Sequence, residues 1–201
     1  RRVLFRSIRA RDLWEEIHQE NPVLTFRGNG SLTLAKNEAE LRVMEESLDK
    51  SDAHLRKWEI LGKKETQRIN PTLNGNYLAS LWCPLDATVE PHSVLTSLRA
   101  QLAKDSKYIW RNSVEIIDVK SAGDRVTAVA KSGEVFEGDF LILCPGADHE
   151  SLFKEQFDTA PIRKVYLQMM STAPFEGDIT TSVADGDSMR YYPGYDVPSL
   201  E

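Results

Sequence analysis

Two cysteines, Cys83 and Cys144, are all that the 201 residues contain. That is too few for a disulfide framework, which small extracellular folds build from several pairs. Both lie in apolar stretches, which points to buried, reduced thiols in a cytoplasmic protein. Cationic side chains are not gathered into a block, and the net charge is -6. A nucleic-acid binder needs clustered cations to displace counterions from phosphates, so that class is disfavoured. No apolar run is long enough to span a bilayer, and no segment has the order of a signal peptide. The four histidines, His18, His54, His92 and His149, are scattered. None meets a second ligand at metal-binding spacing, so no metal centre is expected. No Gly-x-Ser-x-Gly elbow occurs and no Cys–His pair is indicated, which leaves nucleophilic hydrolysis unsupported. Gly28-Asn29-Gly30 lacks both a third glycine and a following helix, so it reads as a turn and not a dinucleotide fingerprint. The carboxylates fall on helix faces, and the catalytic residues are left unassigned.

What remains is a composition of 41% hydrophobic and 28% charged residues, that of a globular chain with one large or two small domains. Ile8 to about His18 has helical spacing, and Asn21-Pro22 ends it. Val23–Phe26 and Ser31–Ala35 are β-prone runs around the glycine turn, either a hairpin or a strand re-entering a sheet. Asn37 followed by Glu40 marks a helix start. Leu41, Met44, Leu48 and Leu55 continue its apolar stripe, and Leu61-Gly62 offers an exit. Lys63–Ile69 is a short helix stopped by Asn70-Pro71. Residues 77–83 read as a strand, and Pro91 suits the first turn of a helix carrying Val94, Leu95, Leu98 and Leu102.

Strands are expected at Val114–Val119, Arg125–Ala130 and Glu134–Glu137. Phe140–Cys144 is apolar on both faces, as a strand covered by helices on both sides must be. It ends in Pro145-Gly146-Ala147-Asp148, and a helix is expected next. A strand, a glycine turn and a helix start bring backbone close to a ligand in doubly wound sheets, so this corner is the best local hint of ligand contact. Val165–Met170 offers one more strand, and Met189–Pro193 reads as a strand entering a turn.

Taken in order, these segments resemble the D-amino-acid oxidase/glycine oxidase family of FAD-dependent oxidoreductases, over nearly everything from Ile8 onward. Gly30–Ala35 with its acidic helix is similar to that family's entry into the substrate domain. Asp86–Pro91 and the Leu95/Leu98 helix are similar to its return toward the flavin domain. Val114–Ile117, the Gly133 hairpin and Phe140–Ala147 are similar to its last flavin-domain strands. Tyr166-Leu167-Gln168-Met169-Met170-Ser171-Thr172-Ala173-Pro174, with Arg9–Trp14 and Met189–Tyr192, resembles a subgroup linked to phosphonate catabolism. One departure is Gly146-Ala147-Asp148, where the wider family has Gly-Ala-Trp.

The resemblance implies an α/β chain: a partial FAD/NAD(P)-binding-type sheet beside an α+β substrate domain with a mixed, largely antiparallel sheet. It implies residues 8–90 and 158–201 as the two parts of the substrate domain and 91–157 as the later part of the FAD-binding domain. Residues 1–7, whose Leu4-Phe5-Arg6-Ser7 matches the translation of a sequencing-adapter stretch, are set aside. Cofactor contacts carried over are Val114, Cys144, Pro145, Gly146 and Ala147. Substrate contacts carried over are Gln168, Met170, Arg190 and Tyr192, with Arg190 holding a carboxylate or phosphonate. The implied reaction is oxidation of the C–N bond of a small amine or amino acid, an aminophosphonate among the candidates, with FAD carrying the redox chemistry. The chain is expected to be an internal portion of such an enzyme, inactive alone because the glycine-rich pyrophosphate turn is missing. The alternatives are a flavin dehydrogenase with a non-oxygen acceptor and a non-catalytic α+β binding module.

Overall fold

A computed structural model describes residues 2–22, 25–50 and 53–200. In chain order its elements are α1 (Arg2–Glu20), β1 (Phe26–Arg27), β2 (Ser31–Ala35), α2 (Glu38–Leu48), α3 (Ala53–Arg56), β3 (Glu59–Gly62), α4 (Lys63–Ile69), β4 (Ala79–Cys83), β5 (Thr88–Val89), α5 (Pro91–Leu102), β6 (Ile116–Ala122), β7 (Arg125–Ala130), β8 (Val135–Gly138), α6 (Lys154–Thr159) and β9 (Ser182–Asp185). Two 3₁₀ turns, Gly186–Tyr191 and Pro193–Tyr195, follow β9. The elements fall into two compact units, one of residues 1–105 with 174–201 and the other of residues 106–173.

The first unit is built on a four-stranded sheet in the order β3-β4-β2-β9. β2 pairs antiparallel with β4 and parallel with β9, so the sheet is mixed and largely antiparallel. Leu32, Thr33 and Ala35 are all buried, because β2 is a central strand covered on both faces. On one face Ala35, Leu81 and Cys83 pack against Val43 and Met44 of α2 and against Met189. On the other, the Thr66 and Ser80 hydroxyls hydrogen-bond to each other at 2.7 Å, which brings α4 to β4.

Local chemistry explains the element starts. The Glu40 amide donates to Asn37 Oδ1 at 3.0 Å, and the Glu40 carboxylate accepts from the Lys36 amide at 2.7 Å. The reach-back thus lands one residue earlier than a standard capping box. Pro91 opens α5, whose Val94 is buried, whereas Leu95 faces outward. β1 pairs with β5 and not with β2, so the glycine turn joins two sheets and is not a hairpin. Val23 and Leu24 of the expected first strand lie outside the described residues. Leu61-Gly62, expected as a helix exit, instead ends the edge strand β3.

The second unit is an antiparallel meander in the order β6-β7-β8. Two expected strands do not form. Phe140–Cys144 and Val165–Met170 are irregular, and no strand among the described residues pairs with either. Phe140 is 92% exposed and Met170 91%. The apolar run gives a strand its composition, but a strand needs a neighbour to take its amides. The helix expected straight after Asp148 begins only at Lys154. Asp148 instead accepts from the Glu150 and Ser151 amides and the Ser151 hydroxyl, which lowers its carboxyl pKa. Met189–Tyr191 is 3₁₀ helix and not strand, started by Asp185 accepting from the Ser188 amide. Cys83 is buried as expected, but Cys144 is exposed, having no sheet to cover it.

Candidate active site

The first unit contains a cleft of about 760 Å³, within the range of small-molecule sites. Its walls come from α1 (Trp14), Ser31 and Thr33 of β2, the β4–β5 turn (Leu85–Thr88), and the 3₁₀ segments with Met189, Tyr192 and Tyr195. Its charged lining residues, among those described, are Arg11, Arg56 and Asp86.

Arg56 ends α3, and the left-handed backbone at Lys57 turns the chain directly into Trp58. The Arg56 guanidinium lies 4.6 Å from the Trp58 ring centre. Trp58 in turn stacks on Tyr195 at 5.1 Å and 8°, so the cation rests on a two-ring platform. A Cβ at Gly194 would fall 2.6 Å from Arg56 Nη1, so glycine leaves the space that the guanidinium uses. Asp86 sits in the turn after β4. Its carboxylate accepts from the Ser31 hydroxyl at 2.6 Å, and its carbonyl accepts from the Gly30 amide at 3.0 Å.

Both charges act on Cys83 and Tyr195. Burial pushes the Cys83 thiol up to about 12, and the Asp86 carboxylate adds to the shift. Hydrogen bonds from Ser31 and Tyr195 and the charge of Arg56 act the other way. Burial likewise raises Tyr195 above the ordinary phenol value. These shifts favour the neutral thiol and phenol; Tyr195 lines the cleft, whereas Cys83 lies behind it in the core.

Of the residues expected at the site, Tyr192 lines this cleft. Arg190 does not; it is exposed, with Nε 3.5 Å from Asp187. Gln168 and Met170 lie in the irregular part of the second unit and are exposed. Val114 is half-buried just ahead of β6. Cys144, Pro145, Gly146 and Ala147 form an open corner. Gly146 has φ +60, and a Cβ there would meet nothing within 4 Å. Arg56, Trp58, Asp86 and Tyr195 were not anticipated. The signal available for Asp86 was a polar turn closing a buried strand, the same logic that drew attention to Gly146. Nothing in the sequence marks Arg56.

A dinucleotide flavin needs helix-N-terminal amides for its pyrophosphate. The start of α2 carries Glu38 and Glu40, and Asn37 already takes the Glu40 amide. The start of α5 has Glu90 accepting from His92, and Pro91 has no N–H to give. At Gly30 the space a Cβ would fill is taken by the Trp82 ring, so this glycine serves packing and not a phosphate. The starts of α2 and α5 and the Gly30 turn therefore do not fit the diphosphate of FAD, and no such contact is assigned to them. Among the same residues no group of three His, Cys, Asp or Glu side chains is placed to hold a metal, and no helix is long and apolar enough to cross a membrane.

The FAD dependent oxidoreductase family (DAO) matches residues 4–197. The chain belongs to that FAD-dependent family. A D-amino acid dehydrogenase of Helicobacter pylori is 24% identical over 147 residues, 73% of this chain and 35% of that protein. Glycine oxidase from Bacillus cereus superposes with a TM-score of 0.54 at 16% identity, covering 66% of this chain and 38% of that one. L-proline dehydrogenase from P. horikoshii superposes at 0.55 and 19% identity, covering 68% and 35%. The chain thus spans about a third of the length of these relatives. The mixed α/β architecture agrees with this fold, and the family favours an enzyme over a non-catalytic module.

Proposed function

We propose that these residues serve the oxidation of the C–N bond of a small amino acid, with FAD as electron acceptor, and that they supply mainly the substrate-side body of the enzyme. The observation that carries this reading is the family match over residues 4–197. The H. pylori relative, named for D-amino acids, supports an amino acid among amines. When bound, the flavin takes the electrons; the chain's own part is to bind, orient and desolvate the amine. An oxidised amine leaves as an imine, which water hydrolyses to a carbonyl compound and ammonia.

Tyr192, on the cleft wall, supports a substrate-contact role. The open, left-handed Gly146 leaves the Cys144–Ala147 backbone accessible, which supports a role for that corner and Val114 against the cofactor. Gln168, Met170 and Arg190 remain as further substrate contacts, with an aminophosphonate the finer alternative substrate. The exposed Cys144, a free thiol, supports a reducing, cytoplasmic setting.

The test is anaerobic addition of amino acids and of aminophosphonates to the full-length enzyme. Bleaching of the flavin absorbance by amino acids is expected; an enzyme indifferent to every amine would end this reading. A second reading, electron delivery to a carrier in place of oxygen, is favoured by the name of the H. pylori relative. Oxygen uptake compared with dye reduction under the same conditions separates the two.

A further inference from the structure

Asparagine precedes glycine twice in the chain, at Asn29-Gly30 and at Asn74-Gly75. This dipeptide carries a chemistry of its own. Glycine places no side chain beside its amide nitrogen and its backbone turns freely, so that nitrogen can reach the carbonyl carbon of the preceding side chain. The fold holds the two pairs differently. Gly30 is buried, and its amide donates to the Asp86 carbonyl at 3.0 Å. The Trp82 ring fills the space beside its Cα, and its backbone is left-handed at φ +72. Asn74, Gly75 and Asn76 are exposed, in the loop between α4 and β4. That loop is pinned on both sides. The Leu73 amide donates to the Asn70 carbonyl at 3.2 Å, and the Leu78 amide to the Ala35 carbonyl at 2.7 Å. Between the pins, the Gly75 amide has no acceptor among the described residues, and a Cβ there would meet nothing within 4 Å.

We propose that Asn74 is a self-modification site and that the fold protects Asn29 from the same reaction. The Gly75 nitrogen gives its proton to solvent and bonds to Asn74 Cγ. Ammonia leaves with a proton from solvent, and a cyclic succinimide remains. Water then opens the ring at either carbonyl, giving aspartate or its β-linked isomer, isoaspartate. Nothing is oxidised or reduced, and the co-reactant is water. Gly30 cannot enter this sequence without leaving its bond to Asp86 and its place against Trp82, a local opening that costs free energy. The Asn74 loop needs no such opening. The product alters the surface around Lys63, whose ammonium donates to the Gly75 carbonyl at 2.7 Å and lies 5.3 Å from the Tyr77 ring centre. A new carboxylate one residue from that carbonyl adds a negative charge beside the cation. The β-linked product also lengthens the backbone by a carbon and displaces the carbonyl from Lys63. The pins at Leu73 and Leu78 lie outside the altered pair, so β4 keeps its place.

The test is incubation of the full 201-residue chain in mildly alkaline buffer, followed by tryptic peptide mapping. The two pairs fall on separate tryptic peptides, residues 28–36 and 69–99. Conversion of Asn74 to the acid, located by fragmentation, is expected in the second peptide. In the folded chain it should run about tenfold or more faster than conversion of Asn29, the margin that a modest local-opening cost imposes. In guanidinium chloride the two should react at comparable rates, because the protection of Asn29 goes with the fold. Gly75→Ala, which the open space around Gly75 accommodates, should suppress the reaction at Asn74 with circular dichroism unchanged. Comparable rates in the folded chain, faster reaction at Asn29, or an Asn74 that stays intact would overturn the proposal. So would a difference that persists in the denaturant, since local sequence and not the fold would then set it. A Gly75→Ala chain that reacts as fast as wild type would overturn the assigned nucleophile.

Discussion

At Gly30 a methyl group would collide with the Trp82 ring at 2.2 Å and with the Cys83 carbonyl at 2.9 Å, on a backbone of φ +72. Gly30→Ala is expected to cost roughly 2–5 kcal/mol, the sum of left-handed strain and overpacking. Urea denaturation checks this, and a midpoint within error of wild type would contradict the packing described. Cys83 gives a second prediction. Its thiol is raised from 9.0 to about 12 in the folded protein. The folded state therefore holds the proton more tightly than the unfolded state. That stabilisation is complete below pH 9 and is lost as the pH rises from 9 toward 12, at up to about 1.4 kcal/mol per pH unit. Cys83→Ala should flatten that part of the stability profile; an unchanged slope would show that other groups carry it. The importance of Gly30 was half legible. Its turn was plain in the sequence, but the partner, Trp82, arrives from a strand 52 positions away by the β2–β4 register. Arg56 was not legible, because its place depends on Trp58 and Tyr195 meeting across the fold.

At the scale of elements, the sequence announced what is local. The Asn37 cap, Pro91 and the Lys63–Ile69 helix all stand where their own side chains put them. The β6–β7–β8 meander was legible too, since each strand pairs with its sequence neighbour. Phe140–Cys144 and Val165–Met170 failed for one reason: apolar composition says what a segment will bury, not what will cover it. β3 was missed because four residues are too few for period-two alternation to stand out. A measurable consequence follows for hydrogen exchange. Amides of β2 and β4, paired on both sides, should be the slowest in the chain. Those of residues 140–149 and 161–173 should exchange near the rate of free peptide. Strong protection across 140–144 would mean that the run is paired in solution.

For the whole molecule, the relevant fact is that a flavoprotein family covers residues 4–197 while the starts of α2 and α5 do not suit a diphosphate. We expect the 201-residue chain, mixed with FAD and passed over a sizing column, to elute without flavin colour. Stoichiometric retention would refute this and locate a cradle of another kind. The family was readable because order carries information even when single motifs do not. No one glycine or carboxylate pointed to a flavin; the succession of strand, acidic helix, strand, proline-led helix and meander did. The residues that line the cleft were less readable, because they come from α1, β2, the β4–β5 turn and the segment after β9, and no window of sequence contains them together.

The parallel pairing of β9 with β2 has a consequence for synthesis. Ser31 to Leu34 leave the ribosome long before Ser182 to Asp185, the strand that seals their open side. At about 5–20 residues per second, roughly 8–30 s separate the two events. Through that interval the nascent sheet shows a row of bare amides and carbonyls, the kind of edge that recruits stray β-strands. Yield in a cell should therefore respond to translation speed and to holding chaperones more than to the stability of the finished protein.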